Sequence, residues 1–481
     1  MTMDRLHESG RDIPVCESCD ICVIGGGCTG VFAAVAAARL GARVSLVEAH
    51  GFFGGVAAAG LVNIWHTLLD ETCSRQIIGG LTSETLERLA RRDAVLLTRP
   101  GPTTHVHVGG EGPPPDPRLE RVNHLLNTEE LKITLDELVV EAGVRPFLHA
   151  RFVATIAEGG RVAAAVIEDK SGRRAIRAAY FIDASGDGDL VARADLPHTR
   201  RDSLQPATAC VRIAGLGRLL RAHRDFDLPT AVFGPQRAGT HRPGFLWAAA
   251  VVGNDNDLMV AGTRIPVDGS NADELTRAEI EGRRQVRAVL DSIQRSAPGE
   301  NKLSLSALPV ALGLRESRKA RCLHTVTGQE LLNGQPFEDA VANGTYPVDL
   351  HFPDRPGIVW RHLDGTETYF PPTGPAVHGR WRPPRRQDPT FYQIPYRSLV
   401  PQGAANVLAA GRIIDTDAEA FGGTRVMVNC NQVGQAAGTA AWLALDGGRD
   451  VADIDTAALR RLLARNGAIV IEGTQTERHD P

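Results

Sequence analysis

The chain has 481 residues, of which 43% are hydrophobic and 23% are charged, and its formal net charge is −4. This length allows about two or three domains with substantial cores, and the charge balance excludes a basic surface field of the kind that attracts nucleic acid or anionic membranes. The first twenty residues lack an apolar signal-peptide core, no apolar run is long enough to span a bilayer, and the eight cysteines have no disulfide-framework spacing. These features predict a soluble cytoplasmic protein without a nucleic-acid or membrane partner.

The first predicted elements form a strand–turn–helix–strand unit over residues 20–48. The sequence DICVIG predicts a buried strand, VFAAVAAARLG an Ala-rich helix, and ARVSLVE a second strand that ends at Glu48. Between the first strand and the helix, Gly25, Gly27 and Gly30 form the pattern G-x-G-x-x-G. In this context the pattern is typical of a dinucleotide-binding loop, in which helix amides face a pyrophosphate and the acidic residue binds a ribose.

The same stretch contains a competing pattern of cysteines. Cys16, Cys19 and Cys22 have the spacing of an iron–sulfur loop, and Cys28 follows within the glycine pattern. A cluster loop needs irregular backbone around the cluster, whereas DICVIG is predicted to be a regular strand. We therefore favour the dinucleotide-binding interpretation and expect Cys22 and Cys28 to be small buried side chains.

The middle elements combine helices with an antiparallel segment. Residues 81–93 and 128–144 have helical spacing of apolar positions, and Thr128 is the expected N-cap of the second helix. Residues 100–118 are so rich in Pro and Gly that they predict a loop. Residues 147–189 alternate apolar and polar positions, which predicts a small antiparallel meander leading into the buried strand YFIDA.

The second half of the chain is less regular until its end. Residues 206–350 have a mixed pattern with one polar helix at 271–293, and the Pro-rich residues 351–390 predict a structured loop region. Residues 406–415 predict another buried strand, and residues 426–445 an apolar helix. The small residues on one face of that helix would allow a flat ligand or another backbone to approach closely.

Taken together, these segments resemble the FAD-dependent oxidoreductase family, within the glutathione-reductase-like superfamily of flavoproteins with two dinucleotide-binding domains. The likeness spans most of the chain and is carried by CVIGGGCTGVFAAVAAARLGARVSLVE, GFFGGVAAAGLV, YFIDASGDGDLVARA, LGLRESRK, FEDAVANGTYPVDLH and the run from YQIPYRSLV to GQAAGTAA. It implies an α/β fold in which a Rossmann-like FAD-binding domain contains an inserted α+β substrate domain. The implied boundaries are 18–205 and 391–481 for the FAD-binding domain and 206–390 for the substrate domain.

The resemblance also implies which residues bind FAD. The first glycine pattern would hold the pyrophosphate, Glu48 the adenosine ribose, the backbone near Val153 the adenine, and Arg412 the ribityl–phosphate portion. The start of the helix near Met427 would meet the isoalloxazine ring, where its dipole stabilises a reduced, anionic flavin. The implied cofactor-binding residues are Gly25, Gly27, Cys28, Thr29, Gly30, Glu48, Gly55, Val153, Ala184, Gly186, Gly411, Arg412, Arg425, Val426 and Met427.

The electron partner is constrained by what the sequence lacks. No second glycine pattern of this type follows a strand, and no Cys-x-x-Cys pair is placed to act as a redox disulfide beside a flavin. A separate nicotinamide domain and a disulfide reductase mechanism are therefore not expected. We expect electrons to be exchanged with O2, with NAD(P)H docking directly at the flavin, or with an electron-carrier protein. The sequence leaves open whether the chain forms a homodimer.

Four residues are candidates for catalysis on the substrate side. Arg315 and Arg318 would share a face if helical, where they would either clamp a substrate carboxylate or pair with nearby glutamates. His351 is a candidate base, although an isolated histidine is more often structural. His66 is either a residue over the flavin or a histidine at the edge of the core.

Other polar candidates are weaker. His105 and His107 alternate in the Pro- and Gly-rich loop, but no third ligand follows at a suitable spacing, so we expect no metal site. Tyr346 and Tyr396 could each donate a hydroxyl to a substrate, although packing is the simpler role for both.

The expected function is hydride transfer between a small organic substrate and N5 of the flavin. One alternative is a flavin oxidase or monooxygenase that uses O2. A second alternative, from another class, is a protein that binds or modifies a macromolecule and holds FAD as a structural ligand; the lack of basic patches argues against it. The sequence does not identify the substrate.

Overall fold

The computed structural model describes residues 6–7, 10–99, 106–107, 116, 120–235, 242, 244–299 and 302–472. The α-helices in these ranges are α1 (Cys28–Arg39), α2 (Leu81–Ala90), α3 (Thr128–Glu141), α4 (Asp189–Arg193), α5 (Leu216–Ala222), α6 (Leu228–Phe233), α7 (Ala272–Ser296), α8 (Gly328–Leu332), α9 (Ala418–Thr424), α10 (Met427–Gly447) and α11 (Thr456–Arg465). Within these ranges, every helix is too short or too polar to cross a bilayer.

The strands of the first part of the chain are β1 (Val15–Ile24), β2 (Val44–Val47), β3 (Ile64–Trp65), β4 (Val95–Thr98), β5 (Val106–His107), β6 (Asn123–Leu126), β7 (Arg145–Phe147), β8 (Arg151–Glu158), β9 (Arg161–Asp169), β10 (Gly172–Asp183) and β11 (His198–Thr199). Those of the second part are β12 (Val211–Ala214), β13 (Trp247–Val251), β14 (Asn254–Ala261), β15 (Ser304–Ala307), β16 (Lys319–Ala320), β17 (Ala340–Gly344), β18 (Val348–His351), β19 (Ile358–Arg361), β20 (Thr366–Phe370), β21 (Val377–Arg380), β22 (Tyr392–Pro395) and β23 (Val407–Ala409).

The central sheet has seven strands in the order β7-β2-β1-β10-β9-β8, with β23 also paired to β10. Strands β7, β2, β1, β10 and β23 run parallel, whereas β10, β9 and β8 form an antiparallel meander. The long strand β10 joins the two parts, because its first half pairs with β9 and its last three residues pair with β23. Parallel strands β1 and β2 joined by α1 make the predicted Rossmann-like unit, and the predicted meander is confirmed.

The last long helix packs directly on the first one. A Cβ added at Gly434 of α10 would overlap the carbonyl oxygen of Thr29, and one added at Gly438 would overlap that of Ala33. The small-residue face of α10 therefore serves the close approach of another backbone, that of α1. This contact places the N-termini of both helices near the carboxyl ends of the parallel strands, where ligands bind in folds of this class.

Smaller sheets cover the second half of the chain. A five-stranded sheet has the order β15-β12-β14-β13-β5, and a four-stranded antiparallel sheet has the order β18-β19-β20-β21. A third sheet of three strands, β3-β6-β4, comes from the first half. Helix α7 and most strands of the five- and four-stranded sheets fall within residues 206–390, whereas the sheet β3-β6-β4 falls within residues 18–205. The domain boundaries at 205/206 and 390/391 remain predictions.

Two local predictions were wrong. The region 351–390 is not a loop, since most of the four-stranded sheet β18–β21 comes from it. Its strands have only four or five residues between Pro- and Gly-containing turns, a length at which alternation cannot be distinguished from loop composition. The N-cap of α3 is Asn127 rather than Thr128, because the Asn127 side chain accepts hydrogen bonds from the amides of Glu129 and Glu130.

Candidate active site

A first cavity, of about 220 Å³, lies where β1, β2 and β10 end, and we call it the glycine cavity. The residues implied to bind FAD that line it are Gly25, Gly27, Cys28, Glu48, Gly55, Ala184, Gly186, Arg412 and Met427. The lining residues that the sequence did not suggest are His50, Gly54, Val56, Ala59, Gly60, Asp187, Ala311, Leu312 and Leu314.

The glycines of this cavity have different reasons to be glycine. Gly25 has a φ of +100°, and a Cβ there would overlap the carbonyl of Ala184; a Cβ at Gly30 would overlap the carbonyl of Gly25. A Cβ at Gly27, in contrast, would meet nothing closer than the Cα of Gly55, at 3.7 Å. Packing of the chain itself therefore requires Gly25 and Gly30, whereas Gly27 leaves room for a group that is not part of the chain, as the approach of a pyrophosphate to the loop requires.

Two helix N-termini supply hydrogen-bond donors to this space. Helix α1 begins at Cys28 and helix α10 at Met427, both of which line the cavity. The N-cap residues, Gly27 and Val426, provide no side-chain hydrogen bond to the first amides. Uncapped N-terminal amides and the positive end of the helix dipole favour anionic groups such as phosphates.

Glu48 lies at the opposite side of the loop, just after β2. Its Oε2 accepts a hydrogen bond from the amide of Gly26 at 2.7 Å, and its Oε1 accepts one from the amide of His50 at 2.8 Å. These bonds hold the carboxylate at the cavity while each oxygen keeps a lone pair, so the carboxylate can also accept bonds from ribose hydroxyls.

Asp187 and Arg412 connect this cavity to the segment that follows it. Asp187 accepts a hydrogen bond from Ser317 at 2.7 Å, and Nη2 of Arg412 lies 3.7 Å from the Asp187 carboxylate. Arg412 also donates through Nη1 to the carbonyls of Leu314 and Arg315, at 2.8 and 3.0 Å. Asp187 was missed in the sequence, although its place between two glycines in SGDGD, both of positive φ, signals a specialised turn.

The remaining residues implied to bind FAD lie around this cavity rather than in its wall. Thr29 and Gly30 are in the first turn of α1, and Gly411 would bring a Cβ within 3.2 Å of the Thr29 side chain. Val153 lies in β8 and is half-buried. Arg425 and Val426 line the second cavity instead.

That second cavity, of about 470 Å³, adjoins the first, because Val56, Leu314 and Met427 line both. We call it the aromatic cavity, since Phe245, Trp247, Trp360 and Phe370 are among its lining residues. The ring centres of Trp360 and Phe370 are 4.8 Å apart, and those of Phe245 and Phe370 are 5.7 Å apart. This wall is contributed by β13, β19 and β20 and the segment before β13, and it suits a flat apolar ligand.

Asp349 of β18 is the centre of a polar cluster in the aromatic cavity. Its Oδ2 accepts hydrogen bonds from Nη2 of Arg425 at 2.7 Å, from the hydroxyl of Tyr346 at 3.1 Å and from Nε2 of His351 at 3.1 Å. Burial alone would raise the pKa of Asp349, but His351 and Arg425 outweigh burial and hold that pKa well below its usual range. Asp349 is therefore a carboxylate at neutral pH.

His351 is neutral, and Asp349 fixes which of its ring nitrogens carries the proton. Burial, and next the positive charge of Arg315, lower the pKa of His351 to about 3, so the ring is neutral at pH 7. Because a carboxylate can only accept hydrogen bonds, the single ring proton lies on Nε2 and is donated to Asp349. The other ring nitrogen, Nδ1, is then a proton acceptor.

Arg315 and Arg318, which were predicted to share a face if helical, do not. Residues 313–318 are not helical, and Arg315 lines the aromatic cavity whereas Arg318 lines neither cavity. Arg318 instead bonds to the carboxylate of Asp189 at 3.1 Å. Burial, and next the charge of Arg425, lower the pKa of Arg315 to about 10, which leaves it protonated at neutral pH.

His66 and Tyr346 also line the aromatic cavity, and their ring centres are 4.3 Å apart. Nδ1 of His66 lies 3.2 Å from the side-chain oxygen of Asn123. Tyr396 is elsewhere, buried, with its hydroxyl donating to the carbonyl of Val451 at 2.6 Å. Packing is thus the role of Tyr396.

The residues considered for metal sites are placed as follows. Cys16, Cys19 and Cys22 lie in the regular strand β1, and burial raises the pKa of the Cys28 thiol to about 12. In the part of the chain that the structure describes, no three His, Cys, Asp or Glu side chains are grouped as metal ligands. His105 and the side chain of His107 lie outside that part.

The chain is similar to several solved structures. A solved structure of a geranylgeranyl bacteriochlorophyll reductase-like protein from Thermoplasma acidophilum is 14% identical, with a TM-score of 0.47 over 94% of this chain and 84% of that chain. A p-nitrophenol 4-monooxygenase from Pseudomonas putida is 11% identical, with a TM-score of 0.43 over 91% of this chain and 83% of that chain. The myxobacterial chondrochloren halogenase is 14% identical, with a TM-score of 0.42 over 94% of this chain and 79% of that chain.

None of the curated proteins matches the sequence significantly. Residues 20–463, however, match the sequence profile described as FAD-dependent oxidoreductase. The match covers nearly the whole chain and includes the glycine cavity, whose open loop and uncapped helix termini fit a dinucleotide. The chain therefore belongs to the FAD-dependent oxidoreductase family, and its cofactor is FAD.

Proposed function

We propose that this enzyme transfers a hydride between a small organic substrate in the aromatic cavity and N5 of an FAD molecule whose dinucleotide portion occupies the glycine cavity. The observation that carries the proposal is the junction of the two cavities at Val56, Leu314 and Met427. A ligand in the aromatic cavity and a dinucleotide along the glycine loop would meet at this junction. The N-terminus of α10 lies there too, which is the place for a group that gains negative charge on reduction.

The residues of the glycine cavity have proposed roles in holding FAD. Gly27 leaves the room that the pyrophosphate needs, and the first amides of α1 would donate hydrogen bonds to it. Glu48 would accept hydrogen bonds from the adenosine ribose. Met427 of this cavity, together with Arg425 and Val426 of the aromatic cavity, would border the isoalloxazine ring. The flavin, when bound, supplies the hydride acceptor or donor.

His351 is the proposed acid–base residue. In the oxidative direction the substrate loses a hydride from carbon, with the C–H electron pair, and a proton from the adjacent oxygen or nitrogen. Neutral His351 accepts that proton, and in the reductive direction protonated His351 returns it. Asp349 positions the ring and stabilises its charged form, while Tyr346 and Arg425 position Asp349.

The aromatic wall orients the substrate and excludes water. Trp360 and Phe370 pack edge to face and present an apolar surface to the cavity. An apolar wall fixes the substrate relative to the flavin, which is the positioning that hydride transfer requires. It also keeps bulk water from the reacting carbon.

The test is anaerobic reduction of the purified holoenzyme. Alcohols, amines, hydroxy acids and NAD(P)H are mixed with the protein in turn, and the visible flavin absorbance is followed. We expect one substrate class to bleach the flavin and the variant His351→Asn to retain FAD but bleach it about 100-fold more slowly. Arg318→Met is the control, since Arg318 lines neither cavity.

Readmission of O2 after reduction separates the alternatives. Rapid O2 consumption would assign the reaction to an oxidase or monooxygenase, whereas slow reoxidation would leave NAD(P)+ or a carrier protein as the acceptor. A flavin that no compound of these classes bleaches, in protein that has full FAD occupancy, would contradict the proposal. It would favour FAD as a structural ligand.

A further inference from the structure

We infer that the aromatic cavity takes an aryl carboxylate, whose carboxylate group pairs with the guanidinium of Arg315. This inference rests on the proposed function, since it assumes that the aromatic cavity is the substrate site, and it adds the chemical class of the substrate. It stands on three features of the cavity: its charge balance, the hydrogen bonds of Arg315 and the aromatic wall.

The charge balance leaves one cation to be neutralised. Three arginines line the cavity: Arg121, Arg315 and Arg425. Arg121 pairs with Glu71 at 2.8 Å, and Arg425 pairs with Asp349 at 2.7 Å. Across the described residues, no carboxylate lies within ion-pair distance of Arg315. A buried charge of this kind is stabilised by an anion, so the missing partner is expected to arrive with the ligand.

His351 does not change this balance in favour of a cationic ligand. His351 is neutral because burial and Arg315 lower its pKa to about 3. Asp349 already accepts from Arg425, Tyr346 and His351, so its charge is occupied inside the cluster. An ammonium group entering the cavity would face the uncompensated Arg315 charge, which disfavours amine substrates.

The hydrogen bonds of Arg315 to the protein leave available the edge of its guanidinium group that binds carboxylates. Its Nη1 donates to the carbonyl of Pro206 at 2.6 Å and to the hydroxyl of Thr208 at 2.7 Å. Among the described residues, Nε and Nη2 have no acceptor. These two donors point in parallel from the planar guanidinium and match the two oxygens of a carboxylate, while the bonds at Nη1 hold the group in place.

The wall defines the rest of the ligand. Phe245, Trp247, Trp360 and Phe370 line a cavity of about 470 Å³, a volume within the range of sites for small organic ligands. Flat aromatic ligands gain edge-to-face and stacked contacts with such side chains, beyond the area they bury. An aromatic ring that carries a carboxylate therefore satisfies both the wall and Arg315.

Binding to the holoenzyme tests the inference without turnover. The probes are benzoate, cinnamate and indole-3-acetate, each compared with its neutral amide of the same shape. Quenching of tryptophan fluorescence reports binding, because Trp247 and Trp360 line the cavity, and calorimetry confirms the stoichiometry. We expect at least one acid to bind about 10- to 100-fold more tightly than its amide.

Two variants assign that preference to Arg315. Arg315→Met should lose the preference for the acid and keep its affinity for the amide, which also shows that the cavity is intact. Arg315→Lys should keep part of the preference, because it retains the charge but loses the fork. Arg318→Met, three residues away and paired with Asp189, should behave as the wild type.

Three results would overturn the inference: no acid is preferred over its amide by the wild type, the preference survives in Arg315→Met, or Arg318→Met loses it equally. If Arg315→Met does not retain FAD, the wild-type comparison and Arg315→Lys still decide. The outcome is distinct from that of the proposed function. If acids bind through Arg315 but never reduce the flavin, only the proposed hydride transfer is contradicted. If only neutral compounds reduce the flavin, only the pairing of a substrate carboxylate with Arg315 is contradicted.

Discussion

Nη2 of Arg425 donates a hydrogen bond to Oδ2 of Asp349 at 2.7 Å, with both side chains largely buried. Arg425 is the C-cap of helix α9 and immediately precedes the N-cap of α10, whereas Asp349 lies in β18 two residues before His351. This single bond therefore ties the helix that borders the proposed flavin ring to the strand that carries the proposed base. Arg425 and His351 together keep Asp349 a carboxylate at neutral pH.

Replacing Asp349 with asparagine should separate catalysis from cofactor binding. The asparagine side chain would keep the shape of the aspartate but would neither stabilise a protonated His351 nor fix which ring nitrogen carries the proton. We expect Asp349→Asn to lower the rate of flavin reduction about 100-fold or more, with FAD content unchanged. Rapid-mixing absorbance measures the rate. Wild-type rates in this variant would exclude Asp349 as the positioning residue.

Two glycine substitutions should have opposite consequences. Gly27→Leu places a side chain in open space beside Gly55, so the protein should fold normally but retain less than about a tenth of the wild-type FAD. Gly30→Ala instead drives a Cβ into the carbonyl of Gly25 and should cost about 1–3 kcal/mol of folding free energy.

Thermal unfolding and the FAD released on denaturation measure the two effects. Full FAD occupancy in Gly27→Leu would show that the pyrophosphate does not lie at this loop. A stable Gly30→Ala variant would show that α1 and β1 can separate without cost.

The pH profile should show no loss of activity near the ordinary pKa of histidine. His351 acts as a proton acceptor only when neutral, and its pKa is lowered to about 3. We therefore expect kcat/KM for substrate oxidation to lack a His351 ionisation between about pH 5 and pH 8, and to fall only in more acidic solution. In Asp349→Asn the acidic limb should move. A fall in wild-type activity centred near pH 6.5 that disappears in His351→Asn would contradict this assignment.

A buried pair outside the two cavities predicts a pH effect on stability. Nζ of Lys319 lies 3.6 Å from Glu316 and 3.2 Å from the ring centre of Phe421, and burial lowers the Lys319 pKa to about 7. Between this pKa and the unfolded value of about 10.4, the unfolded chain binds a proton that the folded chain does not. The contribution of Lys319 to stability therefore rises as pH increases through that window.

The comparison of Lys319→Met with the wild type isolates this contribution. The difference in Tm, variant minus wild type, should become more negative from pH 7 to pH 9, because the variant lacks the lysine that gains stability. Lys170→Met, in the exposed turn between β9 and β10, is the control and should show a constant difference. A constant difference for Lys319→Met as well would show that Lys319 does not titrate in this range.

Much of the fold could be predicted because its signals are local. The strand–turn–helix–strand unit, the meander at 147–189 and the helices α7 and α10 follow from periodicity, caps and glycines within a few neighbouring residues. The same local rules were less useful at 351–390, where strands of four or five residues lie between turns and pair only with one another. Pairing partners in such a sheet are not visible in any short window of sequence.

The positions of Arg315 and Arg318 in LGLRESR could not be predicted from local spacing. A separation of three residues places Arg315 and Arg318 on one face only if the backbone is helical, and here it is irregular. One side chain therefore enters the aromatic cavity, while the other crosses to Asp189. The irregular backbone of this segment is held by contacts with Arg412, almost a hundred positions away.

The sequence by itself determined the loop that receives a dinucleotide, because a tight glycine turn, a helix start and a strand-end carboxylate are encoded within about thirty residues. The resemblance to the FAD-dependent oxidoreductase family then identified that dinucleotide as FAD. Only the tertiary structure decided what surrounds the substrate. Asp349 and Arg425 are 76 positions apart, and Arg315 reaches the same cavity from a third segment. Their charges, burial and protonation states arise from packing between distant segments, and no local pattern records that packing.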